Sequence, residues 1–369
     1  MKKITLPFYV RLGFVLLILI AAGYLAVLAE KLLVPLLFSF LFAIVLLPLA
    51  NFFENRLHFP RGVATILSVF LFFTGATLII YLLGKQLASL RTEWPLLKMQ
   101  LSSLYHSLQG WLQQHFHINV ERQTAYINDI TQKAFSSSGV LVERTVFSLS
   151  GIFLLLIFIL LYTFFLLLYR RLLMRFIVAA FTEHYSSLIY DITEQVKYIV
   201  RKYITGLFLE MITITILACL AFALLGVKYI FLLGLMLGLF NLIPYVGIFT
   251  ALVLSVLITF ATMDPRHALY VAVTIVGIHL LDSNILMPKI VGAQVRLNPL
   301  IVILGVVIGE MVWGILGMFL AIPYLAIAKV IFDRVPPLQP WGILLGEEEH
   351  LPKRVKRVVQ KIKDKEQSS

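Results

Sequence analysis

Residues 229–263 read YIFLLGLMLGLFNLIPYVGIFTALVLSVLITFATM and contain no charged side chain. As one α-helix this segment would be about 52 Å long, whereas the hydrocarbon core of a bilayer is about 30 Å thick. Its middle carries Pro244, which removes a helical hydrogen bond, and Gly247, which tolerates a chain reversal. We therefore predict two half-helices joined by a break at membrane depth. Ordinary spans with proline kinks are the alternative.

A second long apolar stretch, residues 297–331, has the same character. It is interrupted by Gly305, Gly309, Glu310, Gly314 and Gly317, with Pro323 beyond them. This stretch also predicts a hairpin. A helix precedes each hairpin, one entering near residue 203 and one over 268–288, with opposite predicted orientations. Helix plus hairpin, repeated with inverted topology, is typical of secondary transporters.

The composition indicates a membrane protein. The chain has 369 residues, of which 60% are hydrophobic and 14% charged. Soluble domains average about 45–50% apolar and about 25% charged residues, so a water-soluble fold is excluded. The 28 Phe, 15 Tyr and 4 Trp exclude a disordered chain. The fold class is therefore predicted to be an all-α polytopic membrane protein, and its single cysteine, Cys219, excludes an intrachain disulfide.

Four further apolar runs, at 12–29, 32–50, 63–84 and 145–169, each have the length of one crossing. The first also resembles a signal peptide, but a second apolar run follows three residues later, which favours a retained helix. The formal charge of +12 comes from basic residues that flank these runs. We read that charge as membrane topology with both termini cytoplasmic, and expect no nucleic-acid partner.

These runs divide the chain into predicted segments. They are transmembrane helices 1–3 (1–84), an external helical hairpin (85–144), transmembrane helix 4 (145–169), a cytoplasmic amphipathic helix (170–203), a transport core with hairpins 229–263 and 297–331 (204–332), and a basic tail (333–369). The predicted fold thus has four N-terminal spans and an inverted-repeat-like half of two helices and two re-entrant hairpins. A heptad pattern from Leu87 to Trp111 predicts the external hairpin, which packs within or between subunits. The tail is either an amphipathic helix that binds anionic lipids or an unstructured basic segment.

No phosphate-binding loop, zinc-protease motif or nucleophile elbow occurs, so we predict neither an enzyme nor a cofactor. Ionisable groups at membrane depth are costly and mark candidate sites: Glu210, His279, Asp282 and Glu310. Each either binds a coupling proton or cation, or satisfies a broken backbone. The candidate substrate- or ion-binding residues are Glu210, Asn241, Pro244, Tyr245, Gly247, Asp282, Gly309, Glu310 and Gly314.

The sequence Asn241-Leu-Ile-Pro-Tyr-Val-Gly247 resembles the Asn-x-Ile-Pro-Tyr-x-Gly signature of the autoinducer-2 exporter family, also called PerM-like permeases. The resemblance continues through residues 287–292, 298–300 and 314–323. It implies a homo-oligomeric transporter of the bacterial inner membrane that does not hydrolyse ATP. Family members resemble either autoinducer-2 exporters or sodium (lithium)/proton antiporters. Leu207, Glu210 and Glu310 depart from the family pattern, which leaves the cargo open.

Three functions follow as hypotheses. The first is a secondary exporter of a small polar metabolite, with autoinducer-2 as one candidate. The second is a sodium (lithium)/proton antiporter that uses Glu210, Asp282 and Glu310. The third is a non-transporting membrane scaffold built on the external hairpin.

Overall fold

The computed structural model describes residues 7–91, 99, 138–243, 246–290 and 297–347. Regular structure in these ranges is helical, apart from one isolated bridge between Leu297 and Gly346. Within the same ranges, six helices are long and apolar enough to cross a membrane. They are Glu30–Asn55, Arg61–Gln86, Gly151–Leu168, Ser186–Leu224, Pro265–Ile290 and Pro299–Arg334. The predicted all-α polytopic fold is confirmed.

The described helices, in chain order, are α1 Phe8–Leu28, α2 Glu30–Asn55, α3 Arg61–Arg91, α4 Ser138–Leu168, α5 Arg170–Ala179, α6 Ser186–Leu224, α7 Ile230–Phe240, α8 Val246–Thr262, α9 Pro265–Leu281, α10 Met287–Ile290, α11 Pro299–Arg334 and α12 Gln339–Leu345. Helices α1 to α4 coincide with the four predicted apolar runs. Because α3 continues to Arg91 and α4 begins at Ser138, these helices include the two ends of the predicted external hairpin. Its remaining residues, except Met99, lie outside the described residues, as does the tail beyond residue 347.

The predicted break in 229–263 is confirmed. Helix α7 ends at Phe240 and α8 begins at Val246, with Asn241 following α7 in a turn. Gly247 is buried against the backbone carbonyl of Phe240, where a side chain would collide. Glycine at this position therefore lets the two helices pack closely on each other. Pro244 and Tyr245 lie outside the described residues.

The hairpin predicted over 297–331 is confirmed inside α11. The chain reverses at Trp313 and Gly314, where Gly314 has φ +59° and ψ −142°. The two arms on either side of this reversal pack together, since the backbones of Gly309 and Gly317 lie against each other. A side chain on either glycine would collide with the carbonyl group of the other. The predicted break therefore lies at the centre of the glycine-rich stretch.

The prediction of a single amphipathic helix over 170–203 is wrong in one respect, because the chain forms two helices there. Helix α5 ends at Ala179, and a 3₁₀ turn at Glu183–Tyr185 precedes α6. The apolar stripe predicted for this segment belongs to α6, where Ile189, Val196 and Tyr203 are buried. Helix α6 continues past residue 203 into an apolar segment long enough to cross a membrane, as predicted.

The chain forms two compact units. Of the described residues, unit 1 contains 7–70, 159–208, 288–290 and 297–347, and unit 2 contains 71–91, 99, 138–158, 209–243 and 246–287. The predicted core 204–332 contributes to both units.

In unit 1, side chains satisfy backbone carbonyls between helices. The Ser39 hydroxyl donates to the Ile159 carbonyl (2.9 Å), and the Tyr324 hydroxyl donates to the Leu37 carbonyl (2.9 Å). Such bonds matter where no water is present to accept or donate.

In unit 2, α6 to α9 share an apolar core that includes Phe222, Leu232, Leu233 and Ile275. Helix α9 begins outside the apolar run, at the N-cap Asp264, whose carboxylate accepts from the His267 backbone N–H (2.9 Å). Hydrogen bonds from the His267 backbone and ring hold the pKa of Asp264 below its usual value.

Candidate functional site

Three polar side chains from separate elements of unit 2 meet in its interior. Glu210 comes from α6, Asn241 follows α7, and Asp282 follows α9. Glu210 is 5% exposed and Asp282 is 4% exposed. The amide nitrogen of Asn241 donates to Glu210 Oε1 (3.1 Å) and to Asp282 Oδ2 (3.3 Å). We call Glu210, Asp282 and the bridging Asn241 the buried carboxyl pair.

Because one amide nitrogen contacts an oxygen of each group, the two carboxyl groups lie close together. An ionised carboxylate only accepts hydrogen bonds, so a bond between two carboxyl groups requires a proton on one of them. Among the described residues, no lysine or arginine forms an ion pair with either group. In the same ranges, Asp282 Oδ1 is buried without a hydrogen-bond partner. The site therefore combines negative charge with an unused acceptor.

Close packing between α6 and α7 positions Asn241. Gly238 lies against the Met211 carbonyl and the Thr215 side chain, and Gly234 lies against Cys219. The missing side chains let the two backbones approach, as in small-x-x-x-small contacts between membrane helices. Asn241 follows Gly238 by about one helical turn, which brings its amide to Glu210. Gly234 and Gly238 are not among the predicted site residues, although their four-residue spacing is a recognisable signal.

Asp282 begins a π-helical turn, Asp282–Leu286, at the end of α9. Such turns interrupt regular helices and occur frequently at functional sites. His279 lies one turn earlier, and its backbone carbonyl accepts from the Asp282 backbone N–H. Its ring nitrogen Nδ1 is buried and has no hydrogen-bond partner among the residues that the structure describes. The predicted neighbours His279 and Asp282 thus face the same region of unit 2.

The remaining predicted residues are not part of this cluster. Gly247 lies in unit 2 at the first turn of α8 and supports the break rather than the polar contacts. Gly309, Glu310 and Gly314 belong to unit 1, where Glu310 is exposed. The structure thus joins two of the three carboxyl groups proposed for an antiporter, and a role for Glu310 stays a prediction.

Unit 1 contains an apolar cavity of about 480 Å³ between the arms of α11 and α2. Gly305, Gly309, Trp313 and Gly317 contribute to its walls. Few polar groups are available there to replace the hydration of a polar cargo. The buried carboxyl pair is therefore the stronger candidate site.

A sequence model described as AI-2E family transporter matches residues 14–336 of the chain. The chain belongs to the AI-2E transporter family. The predicted resemblance is thereby confirmed, and the protein is a multi-pass membrane protein of this family.

Three relatives show how much of the chain can be aligned with individual proteins. The AI-2 transport protein TqsA of Escherichia coli is 24% identical over 343 residues, which cover 93% of this chain and 96% of TqsA. YrrI of Bacillus subtilis is 35% identical over 129 residues, covering 35% of this chain and 36% of YrrI. YueF of the same organism is 37% identical over 108 residues, or 29% of each chain. The alignments with YrrI and YueF thus span about a third of those relatives.

Proposed function

We propose that this AI-2E family protein is a secondary transporter that binds its coupling ion, a proton or a monovalent cation, at the buried carboxyl pair. One observation carries the proposal: Glu210 and Asp282 are buried together in an apolar helical unit, and a single amide bridges them. Carboxyl groups at membrane depth are costly and mark ion pathways. Two of them in one cluster, on helices that flank a broken hairpin, are typical of a coupling site.

Proton binding would change the charge of this site directly. Two neighbouring carboxyl groups titrate as a pair, so one proton is shared between them before the second is bound. Because no lysine or arginine among the described residues neutralises the pair, each proton gained or lost changes the net charge inside unit 2. That change gives a reason for the surrounding helices to move.

A sodium or lithium ion could replace the proton. Hard cations prefer oxygen ligands, and the two carboxylates supply them. Asn241 now presents its NH₂ group to both carboxylates. Rotation of the amide would present its oxygen instead, adding a further ligand. The same three side chains therefore support competition between a proton and a cation, which is the basis of antiport.

Export of a small polar metabolite is the second candidate, and it is compatible with ion coupling. It is favoured by the similarity to TqsA, named an AI-2 transport protein, over nearly the whole chain. We therefore propose autoinducer-2 as the first cargo to test. Membership of a transporter family gives the scaffold hypothesis no support.

The test uses full-length protein reconstituted in liposomes with a trapped pH-sensitive dye. Sodium or lithium pulses should move protons with the parent protein, and Glu210→Gln should reduce the rate by about tenfold or more, a loss of about 1.4 kcal/mol or more in coupling. Glu194→Gln is the matched control, because Glu194 is exposed on the same helix. The antiport proposal fails if the parent moves no protons, or if Glu210→Gln matches the parent.

The cargo is tested separately in the same liposomes. Uptake or release of autoinducer-2 is measured with and without an imposed proton gradient. Transport that depends on the gradient and on Glu210 would support coupled export. Equal partitioning with parent protein and with empty liposomes would reject this cargo.

A further inference from the structure

Unit 1 contains a second cavity, of about 370 Å³, whose two ends differ in chemistry. Along α2 the lining changes from apolar residues to Asn51, whose amide oxygen accepts from Arg170, and we call the side away from Asn51 the apolar end. The other end carries polar and basic side chains. The apolar lining includes Phe40, Ile44, Leu47, Leu166 and Ile177, and the polar lining is Asn51, Arg170, Arg171, Thr193 and Lys197.

The basic end has more positive than negative charge. Glu54 accepts from Arg170 and from Arg171, and Arg61 lies 3.6 Å from the same carboxylate. Three guanidinium groups against one carboxylate leave an excess of two positive charges. Lys197 adds a further ammonium group, whose one ion pair within the described part of the chain is with the exposed Glu194 (2.8 Å).

One guanidinium donor of the cavity lining is unused. Arg170 Nη1 is buried and has no hydrogen-bond partner among the described residues. An unpaired buried donor costs about 1–3 kcal/mol, and more when it is charged. An anion with several oxygen atoms would supply the missing acceptor, and guanidinium groups match phosphate oxygens in pairs.

The cavity lies where a lipid headgroup would be found. Arg170 and Arg171 follow directly after the apolar span Gly151–Leu168 and begin α5. Leu172 and Phe176 on α5 are 61% and 67% exposed. A short helix with exposed apolar residues and arginines at its start is typical of the membrane interface.

We propose that this cavity binds an anionic phospholipid. The phosphate lies against Arg170, Arg171 and Lys197, and the upper part of one acyl chain occupies the apolar end. Charge and shape both argue for this occupant, because a free anion would leave the apolar end empty and a zwitterionic phospholipid would bring its own cation to the basic end. The proposal is independent of the buried carboxyl pair, which belongs to unit 2.

The experiment measures lipid retention by purified full-length protein with native mass spectrometry. Phosphatidylglycerol and phosphatidylcholine of equal chain length are titrated in turn. The parent should bind phosphatidylglycerol in preference to phosphatidylcholine. Arg171→Gln combined with Lys197→Gln should weaken phosphatidylglycerol binding about 30-fold, at about 1 kcal/mol for each basic side chain.

Two controls separate a specific site from general attraction. Arg175→Gln combined with Arg201→Gln removes the same charge from exposed positions on α5 and α6 that do not line the cavity, and should leave binding unchanged. Ala43→Phe should fill the apolar end and weaken lipid binding without removing charge. The proposal is overturned if the parent binds both lipids equally or if both charge pairs have the same effect. It is also overturned if glycerol phosphate, which has no acyl chain, competes as well as the lipid does.

Discussion

Asn241 uses one amide nitrogen to hold two carboxyl groups that would otherwise repel each other when both are ionised. Its two hydrogen bonds, of 3.1 and 3.3 Å, come from a neutral amide. A neutral donor stabilises negative charge without cancelling it. The pair therefore keeps its affinity for a proton or a small cation, whereas an arginine at this position would permanently neutralise it.

Glu210 and Asp282 should act as one unit in transport. Glu210→Gln and Asp282→Asn should each reduce ion-coupled flux by about 10- to 100-fold, or about 1.4–2.8 kcal/mol. The double variant should lose no more than the worse single variant, because either change already breaks the shared site. Flux is measured in liposomes containing equal amounts of each protein. Fully additive losses in the double variant would contradict a shared site.

The same substitutions should affect stability differently. Replacing buried charged groups by neutral groups of similar shape is often neutral or stabilising. The double variant should therefore unfold at the same temperature as the parent, or higher, when heated in detergent.

At the scale of the elements, the α6–α7 contact is the feature that builds the site. Gly238→Ala would place a methyl group against the Met211 carbonyl and Thr215, so the helices must separate. Overpacking of this kind costs about 1–3 kcal/mol. Thermal unfolding in detergent should show the loss, and flux should fall because Asn241 moves away from Glu210.

Gly277→Ala on α9 is the matched control for Gly238→Ala. A side chain at Gly277 has open space around it, so stability should not fall. If both variants behave alike, close packing at Gly238 does not position the site.

The reversal inside α11 depends on a glycine for a different reason. Gly314 has φ +59° and ψ −142°, a conformation that residues with a side chain rarely adopt, although a methyl group there would have free space. Gly314→Ala should therefore destabilise the protein by about 1–3 kcal/mol through backbone strain alone. Gly75 lies in the middle of α3, and a side chain there would have free space. Gly75→Ala should therefore be neutral or slightly stabilising. Thermal unfolding of the two variants in parallel tests this difference.

The elements could largely be predicted from the sequence, because a 35-residue apolar run with a central Asn-x-x-Pro-x-x-Gly cannot be one straight span. The meeting of Glu210 with Asp282 could not, since they lie 72 positions apart and their contact depends on how α6, α7 and α9 pack. Glu310 was predicted as a site residue because a charged side chain at membrane depth costs free energy, yet this side chain is exposed in unit 1. Hydropathy indicates depth but does not indicate which way a side chain faces. The division between α5 and α6 was missed because the helical apolar pattern continues across it.

At the scale of the whole molecule, the membrane orientation is a prediction that rests on the distribution of basic residues. Arg56 and Arg61, at the two ends of the connection between α2 and α3, predict that it lies in the cytoplasm. Counting the predicted crossings from there places the connection between α8 and α9 on the outside. Assembly into a homo-oligomer and lipid binding by the basic tail are further predictions at this scale.

The single native cysteine makes the orientation directly testable. In a Cys219→Ser background, Arg266→Cys introduces an exposed thiol near the start of α9, and Leu57→Cys introduces one between α2 and α3. A membrane-impermeant maleimide added to intact spheroplasts should label the first variant and not the second, while both should react after the membrane is opened. This outcome is expected because moving the arginines of the α2–α3 connection outward would oppose the charge bias that orients membrane helices. If only Leu57→Cys is labelled in intact spheroplasts, the orientation of the protein is the reverse of the predicted one. Labelling of both would show that the α7–α8 hairpin or an earlier span has been assigned the wrong number of crossings.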